Sequence, residues 1–166
     1  PEIYHQLEQC ILGIAEACRV LETPVVSGNV SLYNESRGQA IFPTPVLGGL
    51  GLLEDATKAT RSAFAGEGLV VGLLGADTNQ IDVNDLAGSE YLKHIHGRVA
   101  GSPQIDINLE KKVQQACRDA IERGLIASAH DCSEGGLAVA LAESSIQGGI
   151  GFSGDFLVDD RWDATL

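Results

Sequence analysis

Two nearly continuous apolar runs, VLGGLGLLED from Val46 to Asp55 and GLVVGLLGAD from Gly68 to Asp77, constrain the fold most strongly. Neither alternates polar with apolar residues, so neither suits a strand with one wet face. Runs of this kind suit strands covered on both sides, the usual situation in sheets flanked by helices. Helical periodicity surrounds them. Leu7, Cys10, Ile11, Ile14, Ala15, Cys18 and Leu21 share one face of a helix expected from about His5 to Leu21, ending before Pro24. Leu109, Val113, Ala116, Cys117, Ala120 and Ile121 share a face of a second, over 108–123, with Gly124 as its stop. Shorter helices are expected over 86–96 and 133–147, and strands over 24–27, 125–130 and 150–156. Alternation of the two element types predicts an α/β or α+β fold. The polar, turn-rich NESRGQAIFPT (Asn34–Thr44) reads as a linker, dividing the chain into 1–44 and 45–166.

Charge narrows the functions. Eleven Lys and Arg face 23 Asp and Glu, a net charge of −12, which disfavours sequence-independent binding to nucleic acid. No apolar run reaches the roughly 18 to 20 residues of a membrane-spanning helix, and no secretory leader pattern is present. Cys10, Cys18, Cys117 and Cys132 show neither disulfide-framework nor zinc-ligand spacing. They read as reduced, mostly buried thiols, in keeping with a cytoplasmic protein. Glycine, at 20 of 166 residues, exceeds the usual share of about 7%. The chain has no methionine and begins with proline, which suits either processing or a segment of something longer.

Two glycine-bearing motifs carry candidate chemistry. In Ser27-Gly28-Asn29-Val30-Ser31-Leu32-Tyr33-Asn34-Glu35, Gly28 lets a ligand approach the backbone. Asn29, Ser31 and Asn34 offer neutral oxygens to a phosphate, a hydroxyl or a hard cation. The alternative is a turn whose polar side chains cap their own backbone. In His130-Asp131-Cys132-Ser133-Glu134-Gly135-Gly136-Leu137 an apolar segment meets a helix start, with Ser133 at the expected N-cap. Free N–H groups there suit an anion, Gly135 and Gly136 remove Cβ atoms that would obstruct it, and Asp131 could hold Mg²⁺ between phosphates. The alternative is a capped helix with glycines for packing. No Walker-type loop follows either motif. His130 reads as a structural histidine, His94 and His96 as surface residues, and the acidic 155–163 segment with Trp162 as a solvated end.

PVVSGNVSLYNE, PTPVLGGLGLLED, LAGSEYL and SAHDCSEGGLAVALAES, in this order, closely resemble the synthetase subunit of phosphoribosylformylglycinamidine synthase, of the small bacterial type. The resemblance covers essentially all 166 residues. It implies an ATP-dependent amidoligase of purine biosynthesis, a ligase forming C–N bonds with glutamine as amide donor. Such an enzyme converts formylglycinamide ribonucleotide, ATP and glutamine-derived ammonia to the amidine, ADP and phosphate. The implied fold is a mixed sheet packed with helices, the C-terminal domain of the aminoimidazole ribonucleotide synthetase-like superfamily. Residues 1–44 would be the tail of the preceding N-terminal domain plus linker, and 45–166 a shortened C-terminal domain, both from the second half of the subunit.

By motif match, the resemblance implies that Gly28 contacts ATP, Asn29 binds Mg²⁺ and Ser31 contacts substrate. It associates Asp131 and Ser133 with nucleotide and magnesium binding, beside the Gly135 and Gly136 already read as part of a candidate phosphate site. The family's catalytic histidine and acidic Mg²⁺ ligands lie outside the matched segment, so no catalytic residue is expected here and the isolated segment should be inactive. Implied partners are the glutaminase subunit, a small accessory subunit and the first half of the same subunit, with no nucleic acid and no membrane. Two alternatives are a structural or nucleotide-brace role in that enzyme and another ATP-dependent member of the superfamily, such as selenophosphate synthetase.

Overall fold

The computed structural model describes residues 2–31, 35–75 and 86–154. The chain divides into two compact units, Pro1–Leu52 and Leu53–Leu166.

The first unit opens with helix α1, Glu2–Val20, three residues earlier than periodicity predicts. Glu2 in its first turn and Arg19 in its last oppose the helix dipole favourably. Cys10, Ile14, Ala15, Cys18 and Leu21 are half-buried, whereas Leu7 and Ile11 on the same stripe are exposed. The helix stops because Glu22 turns left-handed, at φ 57°, and the Thr23 N–H reaches back to the Cys18 carbonyl at 3.0 Å. That pairing is the Schellman closure, made here without glycine one residue ahead of Pro24. Strands β1 (Glu35–Ser36) and β2 (Gln39–Ala40) pair antiparallel, Glu35 opposite Ala40 and Ser36 opposite Gln39. Arg37 and Gly38 both have positive φ, 52° and 74°, as a two-residue hairpin turn requires. The turn-rich stretch read as linker thus contains a hairpin.

In the second unit, Asp55 starts a 3₁₀ turn over Ala56–Lys58, its carboxylate accepting from Thr57 N–H at 2.9 Å and Thr57 Oγ1 at 2.6 Å. These bonds hold the Asp55 carboxyl below its usual range. Helix α2 (Glu90–His96) begins at Ser89, which accepts from Leu92 N–H, and ends at left-handed Gly97. Helix α3 (Ile107–Glu122) begins at Asp106, whose carboxylate takes the N–H groups of Asn108 and Leu109, both at 3.0 Å. Val113, Cys117, Ala120 and Ile121 of its predicted face are half-buried, while Leu109 and Ala116 are exposed. Helix α4 (Gly136–Gly148) carries the buried Ala140, Leu141 and Ser144, the most protected positions among the described residues.

What gathers around α4 is the segment 61–64. Arg61 pairs in parallel with Ser128, and the Ala129 N–H donates to the Arg61 carbonyl at 3.0 Å. Ser62 Oγ donates to Gln147 Oε1 at 2.8 Å, and Phe64 N–H to the Ser144 carbonyl at 3.1 Å. A Cβ added at Gly148 would lie 2.6 Å from the Phe64 carbonyl oxygen, so glycine permits this approach.

Helices with a small sheet make the chain α+β. The strand readings of individual apolar runs do not carry through. Val46–Leu53 and Leu69–Leu74 are exposed and form no ladder among the described residues, and 24–27 is not a strand. Residues 125–130 contribute only the bridge at Ser128, and 150–154 contribute no strand; 155–156 lie outside the described residues. Hydrophobicity marks a segment as worth burying, but strand structure requires a neighbour to pair its N–H and C=O groups. Gly48, Gly49, Gly51 and Gly72 further weaken the tendency of these runs to pair. No described helix is long and apolar enough to cross a membrane.

Candidate functional site

The first motif follows α1 in the Pro1–Leu52 unit. Residues 24–31 are exposed and carry no regular structure. The Asn29 Nδ2 amide donates to Ser31 Oγ at 3.3 Å, bringing together two side chains singled out in the sequence. This contact uses the amide nitrogen, leaving Oδ1, the hard oxygen a divalent cation takes, for another partner. Asn29 therefore fits the role of one magnesium ligand. Gly28 has no left-handed backbone, and a Cβ built on it would meet nothing within 4 Å. Leu32, Tyr33 and Asn34 lie outside the described residues.

The second motif joins the Ser128 bridge to α4. The Asp131 carboxyl is exposed and drawn below its usual range, first by the nearby Ser133 hydroxyl, with backbone hydrogen bonding and His130 adding to it. The Gly136 N–H donates to the Ser133 carbonyl at 3.2 Å, closing the turn ahead of the helix. Ser133 is therefore not the N-cap. Gly135 holds that position, at φ 81° and ψ 4°, and supplies no side-chain cap to the first turn of α4. The left-handed Gly135 and Gly136 (φ 66°) turn the chain into the helix. A Cβ at Gly135 would collide with Val139.

Cys132 is exposed, while Cys10, Cys18 and Cys117 are half-buried, so none of the four free thiols is fully enclosed. Partial desolvation, then the Asp131 carboxylate, pushes the Cys132 thiol above its usual range. His94 lies on the surface of α2, its Nε2 2.8 Å from Glu90 Oε2, and His96 stacks edge-on against Tyr91. Lys93 also reaches Glu90 at 3.1 Å and, ahead of His94, holds its carboxyl low. Trp162 and the acidic end fall outside the described residues.

One contact has no precursor in the spacing of the sequence. Half-buried His130 places Nε2 3.1 Å from Glu143 Oε2, while Nδ1 lies 2.8 Å from the Asp131 carbonyl oxygen and 3.7 Å from Asp131 Oδ1. The acidic partner lies 13 residues downstream on α4, at a separation that matches no metal or catalytic pattern. Among the described residues no group of three or more His, Cys, Asp or Glu side chains could hold a metal. The chemistry on offer is accordingly polar and positional: neutral oxygens at 29–31, and a hydroxyl, a carboxylate and an uncapped helix start at 131–136.

Residues 66–161 match the family described as AIR synthase related protein, C-terminal domain, and the chain belongs to that family. Its relatives include the phosphoribosylformylglycinamidine synthase subunit PurL of Anaeromyxobacter sp. (strain Fw109-5), 52% identical over 151 residues, 90% of this chain and 19% of the relative. The PurL subunit of Thermomicrobium roseum is 54% identical over 91% of this chain, and that of Synechococcus sp. (strain JA-3-3Ab) 53% identical over 92%, each across 20% of the relative. The chain thus spans about a fifth of the length of these relatives. No solved structure matches it.

Proposed function

We propose that this chain is a part of phosphoribosylformylglycinamidine synthase, in which it helps hold ATP, Mg²⁺ and formylglycinamide ribonucleotide. The carrying observation is identity of 52–54% over nine-tenths of the chain to relatives bearing that name. Bound ATP would supply the phosphoryl group that turns the amide oxygen into a leaving group, with Mg²⁺ neutralising charge. The chain's own residues bind and orient. Asn29 offers Oδ1 to the cation with its nitrogen fixed on Ser31, Ser31 contacts the ribonucleotide, and Gly28 admits ATP close to the backbone. At 131–136, Asp131, Ser133 and the start of α4 with Gly135 and Gly136 receive phosphate or its magnesium.

A net charge of −12 is compatible with this role, because oriented N–H groups and a cation act locally whereas net charge acts at long range. The setting is cytoplasmic, with the glutaminase subunit, a small accessory subunit and the first half of the synthetase subunit as partners. The test compares the 166 residues alone, expected to show no turnover, with the full synthase subunit carrying Asn29→Ala. Near-normal kinetics of that variant at limiting Mg²⁺ would remove the assignment of Asn29.

A second reading, a structural or nucleotide-brace role for 131–136, is favoured by one observation. The fold itself accounts for Gly135 and Gly136 through their left-handed backbone and, at Gly135, the nearness of Val139. On that reading Ser133→Ala lowers nucleotide content and melting temperature together, leaving the single-turnover rate intact. A loss of single-turnover rate at full stability would exclude it.

A further inference from the structure

The Asp131–Gly135 loop is anchored at both ends to the same segment. Upstream, Ala129 and Ser128 are fastened to Arg61; downstream, α4 is fastened through Ser144 and Gln147 to Phe64 and Ser62. Across the loop runs one direct brace, the His130 ring. Glu143, its partner on α4, stands seven residues beyond Gly136, about 10 Å along the axis. The ring's other nitrogen lies against the Asp131 carbonyl, the first peptide of the loop, at 2.8 Å. A single rigid imidazole therefore connects the helix to the Asp131 peptide. Its protonated form donates to both oxygens, and either neutral tautomer to one.

We propose that the His130–Glu143 pair is a positioning contact that holds the 131–136 loop in the geometry receiving a magnesium-bound phosphate. This rests on the reading of 131–136 as a nucleotide site. His130 is not a catalytic residue on this view; it acts through Asp131 and the start of α4. Glu143 is half-exposed, and a polar contact open to solvent on one side contributes little to stability. Truncating the pair should therefore register in ligand affinity rather than in melting temperature.

The experiment uses the full synthase subunit and Mg·ADP as probe, with affinity by calorimetry and melting temperature measured beside it. Ser133→Ala identifies the binding that belongs to this loop. His130→Ala and Glu143→Ala are each expected to weaken that binding about tenfold, as outer-shell changes do. The double variant should lose no more than His130→Ala alone, because both substitutions break the His130–Glu143 contact. His130→Gln, which keeps a donor towards Glu143, should recover most of the affinity. Unchanged affinities, fully additive losses, or affinity falling in step with melting temperature would overturn the proposal while leaving the nucleotide site standing. Wild-type protein with no Mg·ADP binding sensitive to Ser133→Ala would overturn both.

Discussion

At Gly135 the backbone is left-handed and a Cβ would run into Val139; at Gly28 the backbone is not left-handed and the space is open. Both glycines occur beside polar side chains in motifs that read alike, yet the fold uses them differently. The loop at 131–136 is held by Gly136 on Ser133 and by His130 on the Asp131 carbonyl and on Glu143. Among the described residues the loop at 24–31 has only the Asn29–Ser31 contact between side chains. A glycine required by conformation says little about ligands, because folding alone explains it. A glycine whose conformation the described residues do not require is the better place to test the proposed approach of a ligand, which makes Gly28 more informative than Gly135.

The sharpest way to break this contrast is Asn29→Ala in the full subunit. We expect kcat/KM at limiting Mg²⁺ to fall about a hundredfold, with an unchanged thermal melt, because among the described residues the side chain bonds only within its own loop. A lowered melting temperature would make Asn29 structural and bring the two loops closer together.

Next in size is the glycine pair. Gly135→Ala should destabilise by about 2 kcal/mol in urea unfolding, from left-handed strain and the Val139 clash. Gly28→Ala should unfold as the wild type does while losing ATP affinity. Equal stability losses at the two positions would erase the distinction.

Gly148→Ala sharpens it from the other end of α4. A methyl there would press on the Phe64 backbone, at 2.6 Å from its carbonyl oxygen, so we expect a loss of about 1 kcal/mol by the same measurement. Wild-type stability in this variant would show that the 61–64 segment gives way easily, and that the loop at 131–136 is held less firmly than its hydrogen bonds imply.

The smallest effect is local. With its thiol pushed up, Cys132 stays protonated to higher pH than an ordinary thiol, and its alkylation rate should rise only through that higher midpoint. Asp131→Asn removes the lesser of the two causes, so the midpoint should move down and alkylation at pH 8 should quicken about twofold. An unmoved profile would place Asp131 farther from Cys132 than the folded loop requires.

Legibility followed the range of the interactions. All four described α-helices lie within four residues of where periodicity puts them, because side-chain periodicity and caps such as Asp106 and Ser89 act within a few residues. The motif order likewise pointed to the family through the residues themselves. Strand character in 46–53 and 69–74 was overread, since an apolar run reports a wish for burial and not the presence of a pairing neighbour.

The sequence by itself determined the helices, the acidic balance that disfavours nucleic acid, and membership of the AIR synthase related family. Only the tertiary structure decided that Gly135 rather than Ser133 begins α4, that 61–64 ties Ser128 to Ser144, and that His130 meets Glu143. The physical reason is the same in each case. These contacts join groups whose separation along the chain has no period, so they exist only once the backbone has brought them within hydrogen-bonding distance.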